Sequence, residues 1–145
     1  MKVDEKADIE CILDPGSMII AMSDAVSHQL GIAYDPKISI RMQAANGEIN
    51  NTLGLAKDVP FAAGGIVLLL QVHVVKSPAY DVLLGRPFDV ITQSVVKNYA
   101  NAEQTVTITD PEDDNRQWTV PTVEQGPPQY TVMRMEKDFR ETSRI

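Results

Sequence analysis

Ile9-Glu10-Cys11-Ile12-Leu13-Asp14-Pro15-Gly16-Ser17-Met18-Ile19-Ile20-Ala21-Met22 is the stretch from which the fold can be read. Residues 9–13 form a short apolar run of strand length, and Asp14-Pro15-Gly16 stops it with three residues that each favour a turn. From residue 17 to 22 the chain is largely apolar again. Ser23 then stands where a helix N-cap belongs, Ala25, Val26, Gln29 and Leu30 suit a short helix, and Gly31 ends it. The predicted order is strand, tight turn, strand, helix, with a carboxylate at the turn.

Further along, the strand period continues. Ile38, Ile40, Met42 and Ala44 alternate with polar or small residues. Asn46-Gly47 comes next, a pair favoured in hairpin turns because both residues tolerate positive φ. Ile49, Leu53 and Leu55 would share one face of the return strand. Ile66–Val75 reads as a strand buried on both faces for most of its length. Residues 78–84 read as another, closed by Gly85, and Pro87 suits the first turn of a short helix through Phe88 and Ile91. Residues 105–109 and 117–120 read as a second hairpin around the acidic turn 110–115, with Trp118 in its core. Gly126-Pro127-Pro128 reads as a linker, and residues 129–145 as a weak helix or a disordered tail. The expected division is one domain over residues 1–123 and a linker or C-terminal tail over 124–145, with no internal repeat.

Composition excludes several classes. The chain's 145 residues, 43% of them hydrophobic, suffice for one core. Its 13 basic and 20 acidic residues leave a net charge of −7, which repels nucleic acid and anionic lipid, so neither is an expected direct partner. One cysteine, Cys11, cannot form an internal disulfide and fits a reducing compartment. A structural zinc site needs more cysteines, or two with two histidines; His28 and His73 cannot form a metal site alone. The acidic turn at 110–115 lacks the spacing of a calcium-binding helical loop. The longest apolar run, residues 66–70, falls well short of the ~20 needed to span a bilayer. No signal peptide is visible in the polar first ten residues. A soluble, cytoplasmic protein without metal or cofactor is the expectation.

Three features then occur in a telling order. They are the apolar strand entering Asp14-Pro15-Gly16-Ser17, the hairpin with Ala45-Asn46-Gly47 at its tip, and Val82-Leu83-Leu84-Gly85-Arg86 before a helix. Together they resemble the retropepsin family, the single-domain aspartic proteases of retroviruses and retrotransposons, and most of all those of Gypsy-type retroelement polyproteins. The likeness runs from about residue 9 to 120. It implies a mainly β fold, a small closed acid-protease-type barrel with a flap hairpin and one or two short helices. It implies that Asp14 is the catalytic carboxylate, that Pro15, Gly16 and Ser17 form the active-site loop, and that Ala45, Asn46 and Gly47 close over a bound peptide. Leu84, Gly85 and Arg86 would support the loop from beneath. The implied activity is an aspartic endopeptidase acting on the polyprotein from which the segment is released.

Elementary chemistry agrees with the comparison. Two carboxylates in contact cannot both ionise, so the pair shares a proton and offers a base and an acid at once. With one such loop and no repeat, the second Asp14 must come from a second copy of the chain across a two-fold axis. Ser17 is expected to hydrogen-bond the outer carboxylate oxygen. Pro15 departs from the family's Thr or Ser, whose hydroxyl and backbone N–H lock the two loops together; proline has neither. Arg86 departs too, because its usual acidic partner is replaced by Met18. Two readings result, an active homodimeric peptidase and a catalytically silent dimerisation or peptide-binding module. An unrelated β domain with a fortuitous turn is the third.

Overall fold

Val82-Leu83-Leu84 lies between two strands that the Asp14 turn joins to one another, and this arrangement organises the sheet. The computed structural model describes residues 1–43, 47–124 and 131–133. In chain order these give β1 (Lys2–Val3), β2 (Ala7–Asp8), β3 (Cys11–Leu13), β4 (Ile20–Ser23), α1 (Asp24–Leu30), β5 (Arg41–Gln43), β6 (Ile49–Asn51), β7 (Gly54–Ala63) and β8 (Ile66–Val75). The remaining elements are β9 (Val82–Leu84), α2 (Arg86–Thr92), β10 (Val95–Asn98), β11 (Gln104–Asp110), β12 (Asp113–Glu124) and β13 (Thr131–Met133). One sheet runs β10-β11-β12-β13-β3-β9-β4-β8-β7-β1-β2, and β5 with β6 forms a separate two-stranded hairpin. The class is mainly β with two short helices, as expected, and the large sheet curls into a half-barrel with β10 and β2 at its edges.

The core lies on one face of the sheet. From β8 come Ile66, Leu68, Leu70, Val72 and Val74, all essentially without solvent contact, and from β9 come Val82 and Leu84. Phe61 of β7 and Phe88 of α2 are the largest fully buried side chains. Cys11 is buried in the same cluster, and Trp118 packs against it at half burial. Truncating either phenylalanine would remove about 3–5 kcal/mol, a large part of a small domain's stability.

Local rules explain the helices. The Ser23 hydroxyl accepts from the Val26 N–H at 3.1 Å, and Gly31 adopts φ +65° to close α1, a conformation that costs glycine little. The Asp24 carboxylate also accepts from the Ser77 N–H at 3.0 Å, which ties α1 to the end of β8. Pro87 falls in the first turn of α2, where a missing N–H is harmless.

Several expectations are corrected. β8 alternates between core and exterior: Val67 and Leu69 are 60% and 59% exposed, so this strand is not buried on both faces. The return strand after residue 47 breaks in two. Thr52, buried, donates its N–H to Ile40 O and accepts the Ile40 N–H on its hydroxyl, and that pinning separates β6 from β7. Ile49 is consequently exposed and shares no face with Leu53 and Leu55. Residues 38–40 are not strand, because Asp35 starts a turn in which its carboxylate accepts the Lys37 N–H and its carbonyl the Ile38 N–H. Residues 78–81 are likewise outside β9. The acidic turn shrinks to Pro111-Glu112, and Asp110 is buried, with its carboxylate accepting the Glu112 N–H. Thr131–Met133, within the segment read as a weak helix or disordered, is a strand between β12 and β3. The expected linker at 126–128 and the chain beyond residue 133 lie outside the described residues.

The capping bond gives a direct check. Ser23→Ala should lower stability by about 1 kcal/mol, read as a fall in melting temperature with an unchanged circular dichroism spectrum.

Candidate active site

Asp14 comes directly after β3, and its backbone N–H donates to Leu84 O at 3.1 Å, extending the parallel pairing of β3 with β9 by one step. The chain then turns at once. Ser17 N–H donates to Asp14 O at 3.0 Å, closing a four-residue turn with Pro15 at its second position, where proline's fixed φ is already suitable. The Gly16 N–H donates to Asp14 Oδ1 at 3.1 Å. The carboxylate is therefore oriented by its own loop, half-buried, with Pro15 and Gly16 exposed beside it.

The far side of the loop is fastened to the same strand end. Arg86 N–H donates to Ser17 O at 2.8 Å, so Leu84 and Arg86 hold the loop from either side of Gly85. A Cβ at Gly85 would lie 2.0 Å from Ile19 O and 2.7 Å from Ser17 O, closer than such atoms can approach. The supporting role expected for Leu84, Gly85 and Arg86 is thus carried by main-chain atoms, since Leu84 points into the core and the Arg86 side chain is exposed. Met18, beside Arg86 in this arrangement, is 75% exposed.

Ser17 behaves differently from expectation. Its hydroxyl donates to Ile19 O at 3.2 Å and accepts the Ile19 N–H at 3.3 Å. A serine hydroxyl reaches its own chain two residues on at little entropic cost, and that local bond has replaced the expected one to the Asp14 carboxylate.

The hairpin of β5 and β6 pairs Arg41 with Asn51, Met42 with Asn50 and Gln43 with Ile49. Ala45 and Asn46 lie outside the described residues, and Gly47 is exposed with φ +85°. Met42 packs against a second, smaller apolar cluster of Ala21, Val75 and Leu83, with Ile19 and Tyr80. This cluster occupies the face of β4, β8 and β9 that is turned away from the main core. It places the root of the hairpin over the strands that flank the Asp14 loop. The sequence reading missed the cluster; its signal was the alternation of Ala21 and Leu83 with core neighbours on strands too short to show a period.

Among the other candidates, Cys11 is buried and its thiol is pushed up in pKa by desolvation, which suits a packing role over a reactive one. His28 is exposed on α1. His73 lies on β8, and burial lowers its pKa from 6.5.

Residues 1–88 match the aspartyl protease family model, a span that holds the Asp14 loop, the hairpin and the Gly85 strand end. Among solved structures the chain is similar to the retroviral protease-like domain of Ddi1 from Leishmania major. That match has a TM-score of 0.56 and 18% identity over 75% of this chain and 81% of the other, a likeness of fold. No curated protein matches.

Gly85→Ala should displace the loop. Overpacking of this kind costs about 1–3 kcal/mol, and amide chemical shifts of Asp14, Ser17 and Ile19 should move with the melting temperature.

Proposed function

This chain belongs to the aspartyl protease family, and from that premise we propose that it is an endopeptidase that works as a homodimer. The observation that carries the reading is the Asp14 carboxylate, oriented by the Gly16 N–H on a loop fixed to β9 at Leu84 and Arg86. One carboxylate cannot both take a proton from water and give one to the leaving amine. A second Asp14, brought by another copy across a two-fold axis, supplies the missing group. The shared proton then makes one carboxylate the base and the other the acid.

In the first step the ionised carboxylate removes a proton from a water between the two. The water oxygen attacks the peptide carbonyl, and the protonated carboxyl hydrogen-bonds the oxygen that gains charge. Collapse of the tetrahedral intermediate breaks the C–N bond as a proton passes to the amine. The hairpin of β5 and β6 suits an extended peptide, held strand to strand against its backbone. The resemblance of the loop, hairpin and Gly-Arg strand end to Gypsy-type retroelement proteases supports a polyprotein as substrate.

Pro15 favours a second reading. With neither hydroxyl nor N–H to give, it leaves the two loops without their cross-axis hydrogen bonds, and a module that dimerises or binds peptide without cutting it would tolerate that loss.

The readings separate on activity. Incubated at high concentration with an unfolded protein from mildly acid to neutral pH, the chain should cleave it. Asp14→Asn should reduce the rate by at least ~10²-fold, the scale of lost acid–base catalysis. A folded sample, dimeric by sedimentation, that cleaves nothing would establish the silent module.

Pro15→Thr offers a second check. Hydrogen bonds restored across the axis, at about 1 kcal/mol each, should tighten the dimer about tenfold or more. The same change frees the turn in the unfolded chain, so the monomer should lose about 0.4–1 kcal/mol. Sedimentation and thermal melts at low concentration read the two effects separately.

A further inference from the structure

Met18 and Val90 are the two most exposed large apolar side chains among the described residues, at 75% and 65%. Both connect to the Asp14 loop. Met18 follows Asp14 by four positions, and Arg86, at the start of α2, donates its N–H to Ser17 O, the carbonyl just before Met18. One helical turn beyond Arg86 stands Val90, and one turn beyond Pro87 stands Ile91, also exposed. The opposite side of α2 is buried through Phe88 and Thr92. Asp89 is engaged at the end of the helix, where its carboxylate accepts the Ser94 hydroxyl. The surface adjoining the loop thus carries Met18, Val90 and Ile91 around Arg86.

Large apolar side chains exposed together mark a place where another molecule docks. Composition says what kind. Methionine and arginine are enriched in protein interfaces, whereas lysine and glutamate are depleted there. Position names the partner. The Asp14 site needs a second carboxylate, and a two-fold axis that brings one into contact must pass beside this loop. The residues flanking Asp14 then face the partner copy.

We propose that Met18, Val90 and Ile91 form the docking surface for a second copy of this chain, an apolar seam that takes over from the hydrogen bonds Pro15 cannot make. The inference rests on the homodimer reading under Proposed function. Two departures from the family pattern then have one explanation. Pro15 removes the polar lock at the axis, and Met18, standing where the resemblance implies an acid, adds apolar area beside it. Methionine, unbranched and polarisable, adapts to the shape that the partner's loop presents. Arg86 lays its aliphatic stem along the seam and keeps its charged end in water.

The test is sedimentation equilibrium of the full chain over a concentration series, with Met18→Ser and Val90→Ser as single variants. Both side chains are exposed in the single copy, so melting temperatures at low concentration should hold. Leu69→Ser is the control, since Leu69 is nearly as exposed but lies on β8, outside this surface. The expected result is a dimer that each seam variant weakens by about tenfold or more, because the side chain is lost from both copies. Leu69→Ser should leave the dimer unchanged. A dimer equally tight in Met18→Ser and Val90→Ser would overturn the seam, assign the surface to another partner and leave the homodimer reading intact. Equal weakening by Leu69→Ser would overturn it too, since any lost apolar surface would then have the same effect. A parent chain that stays monomeric at the highest concentration would overturn the homodimer reading, and the inference with it.

Discussion

Gly85 has no Cβ, and the loop that bears Asp14 occupies the space a Cβ would need. Ile19 O would lie 2.0 Å from such an atom, so any other residue would lift the loop from the strand end. The two hydrogen bonds on either side, from Asp14 N–H to Leu84 O and from Arg86 N–H to Ser17 O, depend on that close approach. Because β9 sits between β3 and β4, the loop must pass over its end to join them. The sheet order and the placement of the carboxylate thus share one steric requirement. Main chain fixed by main chain leaves little for side chains to do, and for that reason the Arg86 guanidinium and the Met18 thioether can both stand in solvent.

The sheet serves two purposes through its two faces. On the core side, β8 contributes five buried aliphatic residues and β9 two more, packed with Phe61 and Phe88. Burial of this kind is worth about 1.5–3 kcal/mol for each large side chain before the cost of ordering the chain. The other face of β4, β8 and β9 carries the small cluster of Ala21, Val75 and Leu83 under Met42. Stability comes from one face, and the other is free to be shaped by what it meets.

Much of this was legible in the residues. Asp14-Pro15-Gly16 reads as a turn because three turn-formers coincide, and Ser23 and Gly31 delimit α1 by their capping chemistry. Other features depended on distant partners. Val67 and Leu69 look like core residues in the sequence, and only the pairing of β8 with β7 and β4 decides that they face outward. Thr52 gave no sign that it would pin Ile40 and cut a strand in two. Ser17 had two acceptors within reach, and the nearer one along the chain prevailed. The paired register that sets His73 beside Ala21 joins residues more than fifty positions apart, and no local pattern could reveal it.

Among the described residues the β5 and β6 hairpin has no backbone ladder to the main sheet, and its strand residues other than Met42 are exposed. Substitutions there remove almost no buried area, so they escape the penalty that constrains β8 or β9. A lineage carrying this domain can therefore rewrite the residues of this hairpin at nearly constant folding stability. On the peptide-binding reading proposed above, selection for new targets and selection for a folded chain act on separate sets of positions, and divergence should accumulate fastest in the hairpin.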